Sequence, residues 1–169
     1  METLKAILTR RSIRKYSTKN IPEEYYEVML KAAMHAPSGR NRQPWHFILV
    51  TRRETLQKIA SVSPSWKMLE DAASAIVVCG DLNLEDSESF IIQDCSAATQ
   101  NILLAAHELG LGSVWLGVHP RTDRIDPIRE ILHIPVHIVP VSMVSIGTPD
   151  EDREQPDRYN LDRIHQDKF

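Results

Sequence analysis

Hydrophobic positions along this chain recur with two periods, and the switches between them mark its elements. Residues 2–9 set Leu4, Ile7 and Leu8 on one side of a helix. Pro22 opens a second helix, from 23 to about 35, with Tyr26, Met29, Leu30 and Ala33 at helical spacing; residues 37–39 (PSG) end it. The run 46–51 (HFILVT) reads as a strand, 53–60 as a short helix, and 61–65 as a Ser/Pro break. At 74–80 (SAIVVCG) alternation disappears, which marks a strand buried on both faces. A long helix follows from 88 to about 109. Ile91, Cys95, Ala98, Ile102, Ala105 and Leu109 form its stripe, widened by Ile92, Leu103 and Ala106. So apolar a helix belongs at the centre, against a sheet and a partner subunit, and Gly110 and Gly112 stop it. A buried strand at 113–118 comes next, then a helix capped by Thr122 or Asp123 and running to about 132, with Asp126 and Pro127 favouring its first turn. The last core strand lies within 138–147, and Pro140 places its start at an edge. From Thr148 onward the tail is acidic and polar, suited to wrapping a surface rather than building core.

Two helices before the first strand, and irregular alternation after it, predict an α+β sandwich rather than a doubly wound sheet. The 169 residues suit a single domain, 1–169, with 148–169 as an extended tail. No apolar run reaches the roughly 20 residues needed to cross a bilayer, and the N-terminus is too charged for a signal peptide. Cys79 and Cys95 sit in apolar segments and read as buried free thiols of a cytoplasmic protein. A net charge of −3 argues against nucleic acid as the main partner. Against that acidic background, residues 10–16 (RRSIRKY) stand out. They fit solvated cations at a helix C-terminus, and they fit equally a phosphate cradle built from planar guanidinium forks and a hydroxyl.

Other chemistry is sparse. No glycine-rich nucleotide loop follows a strand, and Pro135 interrupts the His133-x-x-x-His137 spacing that could otherwise hold a metal. His107 reads as a packed or hydrogen-bonded side chain of the long helix. His35, His46 and His119 border the candidate site without a nominated role. The pattern implies a borrowed cofactor, with the protein supplying binding, orientation and electrostatics.

Segments 10–16, 36–47 (APSGRNRQPWHF), 75–81 (AIVVCGD), 93–104 (QDCSAATQNILL) and 109–117 (LGLGSVWLG), with the tail Asp157-Arg158-Tyr159, together resemble the nitroreductase family of FMN-dependent oxidoreductases. The resemblance implies a dimeric α-β-α sandwich with a mixed, mainly antiparallel sheet and a long central helix. It implies FMN at the subunit interface, NADH or NADPH as hydride donor, and a small-molecule acceptor such as a nitroaromatic or quinone, used in ping-pong order. Arg10 and Ser12 would bind the FMN phosphate, with Arg11 contributing and Arg158 returning from the tail. Arg14 would reach the ribityl chain and the pyrimidine edge. Pro37, Ser38 and Asn41 resemble the loop that meets the flavin across the dimer. Leu116 and Gly117 would lie against the ring, where glycine permits close approach to N5. Lys67 matches a position near flavin and nicotinamide, or is simply solvated. No residue is nominated as a direct catalyst; Arg14 and Gly117 tune the flavin. Pro156 departs from the pattern, standing where the family often has a second basic residue. The short chain also lacks room for long lid helices, which implies an open site. Rivals are a flavin-binding module without turnover, and reductive dehalogenation or flavin fragmentation on the same fold. Arg40, Arg42, Arg52 or Arg53 could form a 2′-phosphate patch or be solvated, so the donor stays open.

Overall fold

The computed structural model describes residues 2–169. Its elements in chain order are α1 (Thr3–Thr9), β1 (Tyr16–Ser17), α2 (Glu23–Met34), β2 (Trp45–Val50), α3 (Arg53–Ser61), β3 (Ser74–Asp81), α4 (Glu88–Glu108), β4 (Gly112–Gly117), α5 (Thr122–Leu132) and β5 (Ile138–Pro149). Short 3-10 turns occupy Gly39–Asn41, Pro64–Glu70 and Leu161–Arg163. β5 is the spine of the sheet. It pairs antiparallel with β3 on one side and with β4 on the other, where β1 adds Tyr16 and Ser17 beyond the end of β4. β2 closes the far edge against β3. One parallel bridge, Ser12 to Ser113, makes the sheet mixed.

Strand alternation divides the core between two layers. From β3, Ala75, Val77 and Cys79 face α3, the 64–70 turn and α5, where Leu56, Trp66, Leu69 and Ile128 are buried. Ile76 and Val78 face α2 and α4, where Met29, Ile91, Cys95 and Ile102 are buried. This is the expected α-β-α sandwich. At Gly80 a Cβ would sit 2.1 Å from Ile91 Cγ2, so α4 lies directly on the β3 backbone.

The end of α4 is a Schellman turn. Leu109 caps it, Gly110 takes φ +74°, Gly110 N–H donates to His107 O (3.0 Å) and Leu111 N–H to Ala106 O (2.8 Å). Gly112 is needed for a different reason, since a side chain there would meet Ile13 Cγ2 at 2.7 Å. Pro140 does not mark an edge strand: β5 is central and Pro140 is registered with Cys79 of β3, while on the other side β4 pairs only from Ser142 onward. Pro140 also lies opposite a bulge between Val78 and Cys79.

Two further local expectations need correction. α5 is not capped by Thr122 or Asp123; Arg121 is the N-cap, and Asp123 instead accepts from the Arg121 guanidinium at 2.9 and 3.2 Å. Pro127 is the sixth residue of that helix rather than part of its first turn. The Leu4, Ile7 and Leu8 face of α1 is exposed, and Ala6 alone of that helix is buried. The α4 stripe contains two buried polar residues, Asp94 and Thr99, among its apolar ones.

Candidate functional site

The basic segment 10–16 is laid against the start of β4. Ile13 N–H donates to Ser113 O (3.0 Å) beside the parallel Ser12–Ser113 bridge, so both stretches run the same way. Tyr16 anchors the far end: its hydroxyl donates to Ile13 O at 2.8 Å, and burial pushes its pKa up to about 12. Glu151 at the base of the tail accepts from the N–H groups of Arg14 (2.6 Å) and Lys15 (3.2 Å) and pairs with Arg153 (2.8 Å). These bonds hold Glu151 below the usual carboxylate range, the Arg14 N–H foremost.

Three guanidiniums meet here. Arg10 is half-buried, and its pKa is lowered by burial first, then by the charges of Arg11 and Arg158. Among the described residues, neither Arg10 nor Arg158 has a carboxylate within ion-pair distance, although Asp152 and Glu154 line a cleft of about 500 Å³ with Arg158 and Ser12, and Arg10 lines an adjoining cleft of about 310 Å³ with Glu151 and Asp152. Arg11 is already engaged with carbonyls: Nε donates to Glu154 O (2.9 Å), and Nη1 to Leu8 O (3.0 Å) and Arg10 O (2.6 Å). Such mutual repulsion, with a hydroxyl at Ser12 alongside, is chemically matched to a phosphate. His107 Nε2 bonds Thr9 Oγ1 at 2.8 Å, as its packed reading anticipates, and burial with Arg10 and Arg11 nearby lowers its pKa, opposed by Glu108.

The opposite end of β4 is about 13 Å away, four residues at strand rise. There Leu116 is buried, while the Cβ position of Gly117 has no atom within 4 Å. A flat group can approach that backbone. Arg124 lies under it, donating from Nη1 to Gly117 O at 2.6 Å. Lys67 is exposed on the neighbouring 64–70 turn.

The loop after α2 is the third part, and it is held in an uncommon shape. Arg40, Asn41 and Gln43 take φ of +53°, +56° and +51°, each costing a non-glycine residue on the order of 1 kcal/mol. Two acidic side chains fix it from below. Asp94 Oδ1 accepts from Gly39 N–H (2.9 Å), and the fully buried Glu85 accepts two bonds from Arg40 Nη2 (3.1 and 3.0 Å). Ser38 Oγ accepts from Gln43 N–H (2.9 Å), so Ser38 closes the loop internally, while Pro37 and Asn41 are exposed. The two loop arginines are therefore bound to Glu85, Arg42 at the longer distance of 4.0 Å. Arg53 donates to Glu70 O at 2.6 Å, and among the described residues only Arg52 of the four suggested 2′-phosphate arginines shows no such tie.

The bordering histidines are also partnered. His119 bonds Glu88 at 2.6 Å, His46 lies 3.5 Å from Asp81, and His35 contacts Lys31 O at 2.7 Å. His133 is the left-handed residue ending α5, and no cluster of three metal-ligating side chains occurs among the described residues. None of the described helices is long and apolar enough to cross a membrane. Sequence reading missed Glu85, Asp94 and Arg124; Asp94 carries a signal as an acid among the apolar positions of α4, while Glu85 and Arg124 carry none.

The Nitroreductase family model matches residues 7–66 and 62–148. The chain belongs to the nitroreductase family. Two relatives carry the name "Putative NADH dehydrogenase/NAD(P)H nitroreductase". The one from Archaeoglobus fulgidus is 53% identical over 99% of this chain and 99% of its own. The one from Methanothermobacter thermautotrophicus is 50% identical over 100% of this chain and 88% of its own. A solved FMN-dependent nitroreductase from Clostridium difficile superposes with a TM-score of 0.91 at 32% identity, covering 99% of this chain and 100% of that one. These nitroreductases match the sandwich over its full extent, tail included.

Proposed function

We propose that this chain is an FMN-dependent oxidoreductase that takes hydride from NADH or NADPH and reduces a small-molecule acceptor such as a nitroaromatic or quinone. The observation that carries this reading is the cation cluster of Arg10, Arg11 and Arg158 beside Ser12, at the foot of a strand whose other end is the open backbone of Gly117. The names of its relatives, NAD(P)H nitroreductase and FMN-dependent nitroreductase, supply donor and cofactor.

Bound FMN supplies a reversible hydride acceptor. The chain's own part is to hold and bias it. Arg10, Ser12 and Arg158 take the phosphate, where charge-assisted bonds contribute about 1.5–3 kcal/mol each. Arg14 sets a cation toward the pyrimidine edge, favouring charge that develops there. Leu116 and Gly117 provide a smooth backbone rest, and Lys67 borders the donor's position. The open space at the Gly117 Cβ position suits donor and acceptor using the same place in turn, a ping-pong order.

The protein works as a homodimer in this reading. The exposed Leu4 and Leu8 of α1, at 73% and 69%, and the exposed Leu161, Ile164 and Phe169 of the tail are apolar groups that a second copy would cover. Pro37, Ser38 and Asn41 then face the flavin of that copy.

The test is a visible spectrum of the purified protein, before and after anaerobic NADH. Flavin bands that bleach support the reading, and light scattering should give twice 19.3 kDa. A colourless protein that takes up no added FMN overturns it.

A further inference from the structure

We propose that Arg124 is a positioning residue for the redox end of the site, fixing the Gly117 peptide and placing a cation beside it. This rests on FMN lying over Gly117. The Arg124 side chain rises from the first turn of α5 and joins three elements. Nη1 donates to Gly117 O (2.6 Å), and Nη2 reaches Ser65 Oγ (3.2 Å) and Ser63 Oγ (3.5 Å). Its guanidinium carbon stands 5.1 Å from the centroid of the Trp66 ring, which is 1% exposed. Its Nε is buried and without a hydrogen-bond partner among the described residues.

This geometry does two things. Gly117 is the last residue of β4, with no side chain to hold its torsions, and its carbonyl is clamped by a guanidinium that is itself held by stacking and two hydroxyls. The peptide that would face a ring system is thereby fixed before anything binds. The same guanidinium brings a charge with no carboxylate in ion-pair distance among the described residues; Asp123, exposed, is the near acid and is committed to Arg121. A cation fixed at a half-buried position favours whichever ligand state is more negative. Arg124 therefore makes the protein prefer reduced over oxidised flavin.

The readout is the midpoint potential of bound FMN by dye equilibration, with FMN dissociation constants and melting temperatures measured alongside. Arg124→Gln should lower the reduced-to-oxidised affinity ratio about tenfold. Oxidised-FMN affinity should change less than threefold, since the phosphate cradle lies at the other end of β4. Arg124→Lys, which keeps charge but loses the fork, should restore most of the potential and still slow reduction by NADH. Ser65→Ala, which loosens the clamp without touching Gly117, should shift the potential in the same direction by less. Unchanged potentials in Arg124→Gln and Ser65→Ala would overturn the proposal. So would a collapse of melting temperature with no change in potential in either milder variant. A wild-type protein that binds no FMN removes the underlying reading, an outcome visible before any variant is made.

Discussion

Gly80→Ala offers a stringent test of how the sandwich is assembled. The added methyl would lie 2.1 Å from Ile91 Cγ2, 3.3 Å from Ile91 Cβ and 3.3 Å from Cys95 Sγ. Carbon atoms are comfortable at about 3.5–4.0 Å, so the shortfall at Cγ2 is about 1.5 Å or more. Rotation of Ile91 gives little relief, because its Cβ already stands 3.3 Å from the new methyl and Ile91 is fully buried. α4 must move off β3. Overpacking of this kind costs about 1–3 kcal/mol, and a rigid 21-residue helix places it at the upper end. Ile91→Ala alone should cost about 2–5 kcal/mol by opening a cavity. Combining the two should cost less than their sum by roughly 1–3 kcal/mol, since each relieves the other. Urea melts of the four proteins read the whole cycle, and Gly117→Ala serves as contrast, since its Cβ meets nothing within 4 Å and should cost little stability. If Gly80→Ala lies within about 0.5 kcal/mol of wild type, or the cycle is additive, direct contact between α4 and the β3 backbone is refuted.

Other expectations follow from the site. Arg10→Ala should weaken FMN binding at least tenfold with the melting temperature of the apoprotein unchanged or raised, because it removes a cation held among cations; fluorescence titration reads this, and equal affinity would remove Arg10 from the cradle. His107 titrates below its ordinary value, so it stays neutral in the fold while the unfolded chain protonates near pH 6.5, and stability falls as pH drops through that window. Inorganic phosphate should raise the His107 pKa by offsetting Arg10, which imidazole proton shifts would show. Glu151 has a lowered folded pKa, so its contribution is present above about pH 4.3 and is lost as pH falls through the folded value. Urea midpoints of Glu151→Gln and wild type should accordingly converge in acid. Cys79 and Cys95 are buried, the Cys79 thiol pushed up to about 12 and Cys95 higher still by burial, so neither should react with a thiol reagent until the protein unfolds.

Periodicity reads the frame well because burial on one or both sheet faces decides it. The β3 run and the α4 stripe carry that information in their own residues. Elements whose conformation is imposed from elsewhere are not legible. The two-residue β1 exists because Tyr16 meets the end of β5, and the 64–70 turn exists because Trp66 and Leu69 fill the space beneath α3. At the start of α5, Thr122 and Asp123 suggest a cap because both residue types cap well in isolation; here the Asp123 carboxylate finds the Arg121 guanidinium instead. The exposed face of α1 has a helical pattern whose partner is not in this chain's own core. At the site, the cations of segment 10–16 are visible as charge against an acidic whole. Arg124 is not, since one arginine in a polar helix start carries no pattern until Gly117 and Trp66 are brought beside it.

The three left-handed backbone torsions at Arg40, Asn41 and Gln43 also set a clock. Because Glu85, Asp94 and Ser38 already hold that loop, a ligand that meets it need not wait for it to fold. Were a ligand to use this loop, its capture rate should rise with concentration without a plateau, and binding should cost little ordering entropy. A looser loop would have traded that promptness for adaptability; here the strain is settled during folding, before any ligand arrives.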